Sequence, residues 1–161
     1  MNTNTINNQP APVAVAPANS GDANTNTRAV VISTCHGGFS LSPLAVYRMA
    51  QLQGRSCYFF TDDYYARPVA LQELQNRLRW SAFDISNPAQ LKEDEFSQHQ
   101  LDNHGMDRDD PILVQVVREL GDKANGSSAK LKVVDIPADV AWWIDEYDGR
   151  EWVSERHRTW S

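Results

Sequence analysis

The sequence predicts a single small α/β (or α+β) domain with a mixed sheet of about four or five strands and two or three helices. β-Branched apolar runs alternate with two segments whose apolar residues recur at helical spacing. The order strand, glycine-rich loop, helix and strand occurs near the start of the ordered chain. A length of 161 residues with 41% hydrophobic residues is enough for one core.

The first 27 residues have the composition of a disordered tail. They are rich in Asn, Thr, Ala and Pro, and Asp22 is the only charged side chain among them. Such a segment cannot bury enough apolar area to offset its conformational entropy. We therefore expect the domain to span residues 28–161.

A strand, a loop and a helix follow. Residues 29–32 are a β-branched run, and Ser42 with Pro43 has the chemistry of a helix start that precedes a stop at Gly54. Residues 56–61 are typical of a second buried strand. The order strand–helix–strand predicts a right-handed crossover between two parallel strands. Ligands collect beyond the C-terminal ends of such strands, where the loop would lie.

The loop itself has the composition of an anion site. Gly37 and Gly38 would let backbone amides approach a phosphate, and Ser40 and Ser42 would add hydroxyl donors. The alternative is a tight strand-to-helix turn in which Ser42 only caps the helix. The loop matches neither a Walker A motif nor a dinucleotide fingerprint.

Residues 62–107 are predicted to be a variable insertion with one helix and a long loop. The helix rests on apolar positions at roughly helical spacing, which are Val69, Leu71, Leu74 and Leu78. Residues 84–107 are polar and are expected to form the loop.

Regular structure is predicted again from Asp110, which has the chemistry of an N-cap before Pro111 and an apolar stripe. Residues 130–136 and 140–147 are typical of strands. Asp148-Gly149 is a hairpin-turn signal. The ending, 150–160, is compatible with a returning strand or a short helix.

The C-terminal residues combine groups that bind nucleotides. Arg158 can hold a phosphate bidentately, Trp160 or Tyr147 can stack on a base, and His157 titrates near neutrality. The alternative is a hairpin turn followed by a surface network that holds the chain end.

Other chemistries receive less support. Cys35 could be a nucleophile beside a helix start, but a phosphatase cradle needs an arginine where Leu41 stands, so a small buried cysteine is favoured. Asp107, Asp109 and Asp110 beside His104 match no metal-binding spacing, so neither a metal nor a cofactor is expected.

Composition restricts partners and location. A net charge of −6 argues against general nucleic-acid binding. No apolar run approaches the roughly 20 residues that span a membrane. The two cysteines form no disulfide framework, which favours a reducing cytoplasm.

Several motifs occur together in this chain: CHGGFSLS at 35–42, RDDP at 108–111, ELG at 119–121, ANG at 124–126, IDEYDG at 144–149 and HRTW at 157–160. With this set, the chain resembles a family of small uncharacterised proteins encoded by tailed bacteriophages and prophages. The resemblance covers about 28–61 and 108–160, and His36 stands where the family pattern usually has Tyr. It implies phage origin and residence in the host cytoplasm. It implies no activity, so no catalytic residues are assigned.

The leading functional hypothesis is a phage-encoded, non-catalytic accessory protein that binds a small phosphorylated, nucleotide-like ligand and thereby counters host defence. The expected ligand-binding residues are His36, Gly37, Gly38, Phe39, Ser40, Ser42, Tyr147, His157, Arg158 and Trp160. One alternative is a nucleotide hydrolase or transferase that uses His36, His157 and an acidic residue. Another is an interaction or virion-associated protein, with a homo-oligomer also open, that docks on a host or phage protein through Trp142, Trp143, Trp152 or Trp160.

Overall fold

The structure is a computed structural model that describes residues 26–61, 65, 67–74, 79–101 and 106–156. Within these residues, three α-helices and six short strands confirm the predicted mixed α/β class. The strands are β1 (Thr27–Ser33), β2 (Tyr58–Phe60), β3 (Ser81–Phe83), β4 (Leu131–Pro137), β5 (Trp142–Tyr147) and β6 (Arg150–Glu155). The helices are α1 (Pro43–Leu52), α2 (Glu93–His99) and α3 (Pro111–Leu120). Residues 1–25 of the predicted tail lie outside the described residues, and Thr27 already belongs to β1.

Strand pairing differs from the prediction. β1 pairs antiparallel with β4, with Val31 opposite Val133, and β2 pairs antiparallel with β3. The predicted parallel pair of β1 and β2 is therefore wrong. The described strands form three two-stranded antiparallel sheets instead of one mixed sheet. β4 matches β1 with seven residues, whereas β2 has three, so β4 offers the longer hydrogen-bonded ladder.

Both predicted helix caps are confirmed. The Ser42 hydroxyl accepts from the backbone N–H of Ala45 at 3.1 Å. An Asp110 carboxylate oxygen accepts from Ile112 and Leu113 at 2.7 and 2.9 Å. Each cap satisfies donors that have no partner within the helix.

The main core lies where α1 packs on α3, which in turn packs on β1 and β4. Each helix buries the apolar residues that lie on one of its faces, and these pack together with Val31. They are Ala45, Val46, Met49 and Ala50 of α1 and Leu113, Val114, Val116 and Val117 of α3. Burial of this apolar surface is the main favourable term for the fold.

The region predicted as an insertion contains more regular structure than expected. A 3-10 turn covers Leu71–Leu74, Leu78 lies outside the described residues, and α2 occupies part of the predicted long loop. The prediction missed α2 because the helix buries none of its residues fully, so its sequence is polar nearly throughout. Its one aromatic residue, Phe96, packs edge-on against Phe83 of β3.

The C-terminal strands form a hairpin at the predicted Asp148-Gly149 turn. Both residues have positive φ, at 50° and 81°, as a type I′ turn requires. β6 pairs with β5 along its length, so the ending is a strand as far as Glu155.

The edge of β1 that β4 leaves open is covered by the segment before α3 and by the hairpin. The N–H of Val31 donates to the carbonyl of Arg108 at 2.8 Å, and that of Ser33 donates to the Glu151 carboxylate at 2.7 Å. These contacts satisfy an edge that would otherwise invite pairing with another chain. None of the helices in the described ranges is long and apolar enough to cross a membrane.

Candidate ligand-binding cleft

Gly37 of the loop and Gly149 of the hairpin tip make close contacts with other backbone segments. A Cβ on Gly37 would overlap the carbonyl oxygen of Ser128, and a Cβ on Gly149 would overlap the backbone of His36 and Gly38. The turn after α3 and the tip of the hairpin therefore both pack directly on the loop. This close packing agrees with the alternative interpretation of the sequence, in which the glycines allow a tight strand-to-helix turn.

The loop serines are engaged with the protein around the start of α1. The Ser42 hydroxyl donates to the carbonyl of Lys123 at 2.6 Å, and its N–H donates to that of Ala124 at 2.9 Å. The carbonyl of Ser40 accepts from the N–H of Gly126 at 2.9 Å. The sequence predicted an anion at the start of α1. The carbonyl groups of Lys123 and Ala124 occupy that position instead, because they accept the hydrogen bonds from Ser42.

Phe39 contacts the arginine of a largely buried ion pair. The Arg108 guanidinium is 3.4 Å from the centre of the Phe39 ring, a cation–π contact. The same guanidinium donates two hydrogen bonds, at 2.9 and 2.8 Å, to the two oxygens of Glu151. Glu151 is only 8% exposed, so this bidentate geometry compensates a carboxylate that has little access to water.

A cleft of about 510 Å³ opens beside this ion pair, between the β1–β4 sheet and the hairpin. Ile32 lies opposite Lys132 in the register, and Thr34 follows two residues after Ile32, so one face presents all three. The hairpin contributes Tyr147 and Arg150, which lie opposite each other. The complete lining is Ile32, Thr34, His36, Lys132, Tyr147, Arg150, Glu151 and Trp152.

The charge of the cleft is opposite to that of the whole chain. Lys132 and Arg150 contribute two positive charges, and the negative charge of Glu151 is compensated by Arg108. His36 Nδ1 lies 3.8 Å from an Asp148 oxygen, but both side chains are exposed, so the interaction is weak. A positive cleft in a chain of net charge −6 favours an anionic ligand at this place.

Aromatic surface accompanies the positive charge. Tyr147 is 73% exposed and Trp152 is 44% exposed, and both line the cleft. Exposed rings beside cations are the combination on which a nucleobase stacks while its phosphate is neutralised.

The structure brings together some of the sequence-predicted residues. His36 and Tyr147 line the cleft, whereas Gly37, Gly38, Phe39, Ser40 and Ser42 are not among its lining residues. His157, Arg158 and Trp160 lie outside the described residues.

Sequence reasoning missed Thr34, Lys132, Arg150, Glu151 and Trp152. A usable signal existed in β6, where Arg150 and Trp152 alternate with Glu151 and therefore share a face. Lys132 carries no such signal, since only its pairing with Ile32 brings it to the cleft.

Two thiols differ in their surroundings. A backbone hydrogen bond from Gly37, followed by one from the Ser33 hydroxyl, lowers the pKa of the Cys35 thiol, which also contacts the carbonyl of Ser128 at 2.9 Å. Burial raises the pKa of Cys57 to about 12. Both cysteines are free thiols, and neither is among the residues that line the cleft.

Metal binding finds no support in the described residues, where no three His, Cys, Asp or Glu side chains come together. Asp110 serves as a helix cap, and His104 lies outside the described ranges.

In comparisons with known proteins, no family model, no curated protein and no solved structure matches this chain.

Proposed function

We propose that this protein binds a small phosphorylated, nucleotide-like ligand in the cleft between β1, β4 and the C-terminal hairpin. The observation that carries the proposal is the pairing of Lys132 and Arg150 with exposed Tyr147 and Trp152 in one cleft. The resemblance to phage proteins supports a role in the host cytoplasm, where sequestering such a ligand would counter host defence.

The ligand's phosphate would lie against Lys132 and Arg150, and its base would stack on Tyr147 or Trp152. Base–aromatic stacking contributes about 1–3 kcal/mol per base, so it adds to the phosphate contacts and does not by itself reach the roughly 8 kcal/mol that micromolar affinity needs. The glycine loop would then act indirectly, because its close packing against Gly149 sets the position of the hairpin tip that carries Tyr147 and Arg150.

The proposal is binding without turnover. Among the lining residues, Thr34 carries the only hydroxyl on an aliphatic side chain, and this hydroxyl donates to the carbonyl of Lys130 at 3.1 Å. A hydroxyl nucleophile needs an adjacent general base, and a carbonyl that is hydrogen-bonded within the backbone does not act as one. The hydrolase alternative would instead require conversion of a nucleotide during incubation.

Native mass spectrometry of the protein, followed by calorimetric titration with AMP, ATP and inorganic pyrophosphate, tests the proposal. We expect at least one of these probes to bind at micromolar concentration. Lys132→Ala and Arg150→Ala should each weaken binding about tenfold, as expected for loss of a charge-assisted contact.

Lys123→Ala is the matched control, because it removes the same charge from an exposed side chain that does not line the cleft. If no probe binds at micromolar concentration, the proposal is wrong. It is equally wrong if Lys123→Ala weakens binding as much as Lys132→Ala does, since the effect would then come from net charge alone.

A second candidate, docking on a partner protein, is favoured by Trp143. This residue is 43% exposed, although an indole ring is usually largely buried in a folded domain. An exposed tryptophan on a regular strand is typical of interaction surfaces.

A further inference from the structure

The aromatic face of the hairpin continues beyond the cleft toward the open end of the hairpin. Trp143 and Asp145 lie two residues apart on β5 and therefore point to the same side. Trp152 lies directly opposite Asp145, and Ser154 lies directly opposite Trp143. These four side chains thus form a contiguous patch on one face of the hairpin.

Asp145 lies two residues from Trp143 on β5 and directly opposite Trp152 on β6. Hydrogen bonds from the Ser154 hydroxyl and from the Trp143 side chain lower the pKa of Asp145 below its ordinary value. The carboxylate is therefore ionised at neutral pH. Two donors leave acceptor capacity free, because an ionised carboxylate offers about four lone-pair sites.

Two partly exposed indole rings flank this fixed negative charge. Trp143 is 43% exposed and Trp152 is 44% exposed, so each presents ring surface to solvent. Aromatic faces attract cations through their quadrupoles, and an adjacent carboxylate adds a direct charge. The same carboxylate repels an anion, which separates this patch chemically from the positive end of the hairpin face.

We infer that Trp143, Asp145 and Trp152 form a binding site for the guanidinium or ammonium group of a basic segment of a partner protein. The site goes beyond the proposed phosphate ligand, because it takes the opposite charge and lies nearer the open end of the hairpin.

Charge complementarity supports a basic partner. The whole chain carries a net charge of −6, and three further exposed carboxylates belong to the same hairpin: Asp148 at its tip, and Glu146 and Glu155 on its opposite face. Such a surface speeds the association of a basic segment and disfavours acidic ones.

NMR titration of the full chain tests this site. The probes are the peptides acetyl-Gly-Arg-Gly-Arg-Gly-amide and its lysine counterpart, with a glutamine counterpart as the neutral control. We expect the arginine peptide to shift the indole N–H signals of Trp143 and Trp152 saturably, and the glutamine peptide to leave them in place.

Asp145→Asn should weaken binding of the arginine peptide about tenfold. Glu146→Gln removes an equal charge from the opposite face and keeps an oxygen that can accept from Gly149 N–H, so it should leave the affinity unchanged. Thermal melts of both variants establish that the hairpin remains folded.

The inference is overturned if no saturable shift occurs, or if the glutamine peptide shifts the signals equally. It is also overturned if Glu146→Gln weakens binding as much as Asp145→Asn does. Because Trp152 belongs to both sites, the peptide titration is carried out without AMP, ATP or pyrophosphate, and the two proposals can fail separately.

Discussion

At the scale of single residues, a position can require glycine for two physical reasons, a positive φ or a close approach of other atoms. Three glycines of this chain show the two reasons alone and combined. Gly38 has a φ of 76°, and a Cβ added there would meet no atom within 4 Å, so only backbone strain opposes a side chain. Gly37 has no left-handed φ but lies against the Ser128 carbonyl. Gly149 combines a φ of 81° with contact against His36 and Gly38.

Alanine substitutions at these positions should therefore differ in cost. We expect Gly38→Ala to lower the free energy of unfolding by about 1 kcal/mol, the cost of a left-handed conformation. Gly149→Ala should cost at least about twice as much, because its Cβ also displaces backbone atoms that cannot rotate away. Urea denaturation measures the difference. Equal losses at Gly38 and Gly149 would show that the hairpin tip does not pack on the loop.

At the scale of elements, Asp84 joins the end of α1 to β3 and α2. Arg55, just after α1, donates to one Asp84 oxygen at 3.1 and 2.8 Å. His99, in the last turn of α2, lies 2.7 Å from the other oxygen. Burial alone would raise the pKa of Asp84, but the hydrogen bonds from Arg55 and His99 outweigh it and lower the pKa below its ordinary value of 3.8.

This lowered pKa predicts the pH dependence of stability. A carboxyl group with a lowered pKa in the folded state stabilises the fold fully above its unfolded pKa. The stabilisation is lost as the pH falls below about 4 and through the folded pKa. Asp84→Asn should therefore lower the free energy of unfolding by about 1–2 kcal/mol at pH 7, and this difference should shrink in acid.

Denaturation of both proteins across pH 2–7 measures this effect, with Asp139→Asn as the control at an exposed turn between β4 and β5. A deficit of Asp84→Asn that persists unchanged in acid would contradict an ionised Asp84 in the folded protein.

At the scale of the whole molecule, the Arg108–Glu151 pair connects segments that are far apart in sequence. Arg108 precedes α3 and rests on Phe39 of the loop, and Glu151 belongs to β6 and accepts from Ser33 of β1. The pair therefore holds the C-terminal hairpin, with the candidate cleft, against the rest of the domain.

Glu151→Gln should lower the free energy of unfolding by about 3 kcal/mol, because it leaves a largely buried guanidinium without its charge partner. Glu155→Gln, on the same face of β6 but exposed, is the matched control and should change stability by less than about 0.5 kcal/mol. Similar small losses for both variants would show that the pair does not anchor the hairpin. Chemical denaturation again provides the measurement.

The sequence by itself determined the features that depend on a few neighbouring residues. Ser42 and Asp110 cap helices because their side chains reach N–H groups two or three residues ahead. Asp148-Gly149 forms the hairpin turn because these residues tolerate positive φ at low cost. Such signals need no information about distant parts of the chain.

Only the tertiary structure decided the strand partners and the composition of the cleft. Val31 pairs with Val133 about a hundred residues away, and Lys132 reaches the cleft only through that register. The predicted parallel pairing of β1 with β2 fits the local sequence pattern equally well. It differs from the observed pairing in the length of the hydrogen-bonded ladder, because β2 has three residues and β4 has seven. The free energy of a strand pairing depends on contacts between groups that are distant in sequence, such as Glu151 and Ser33. For this physical reason, local patterns could not predict the site.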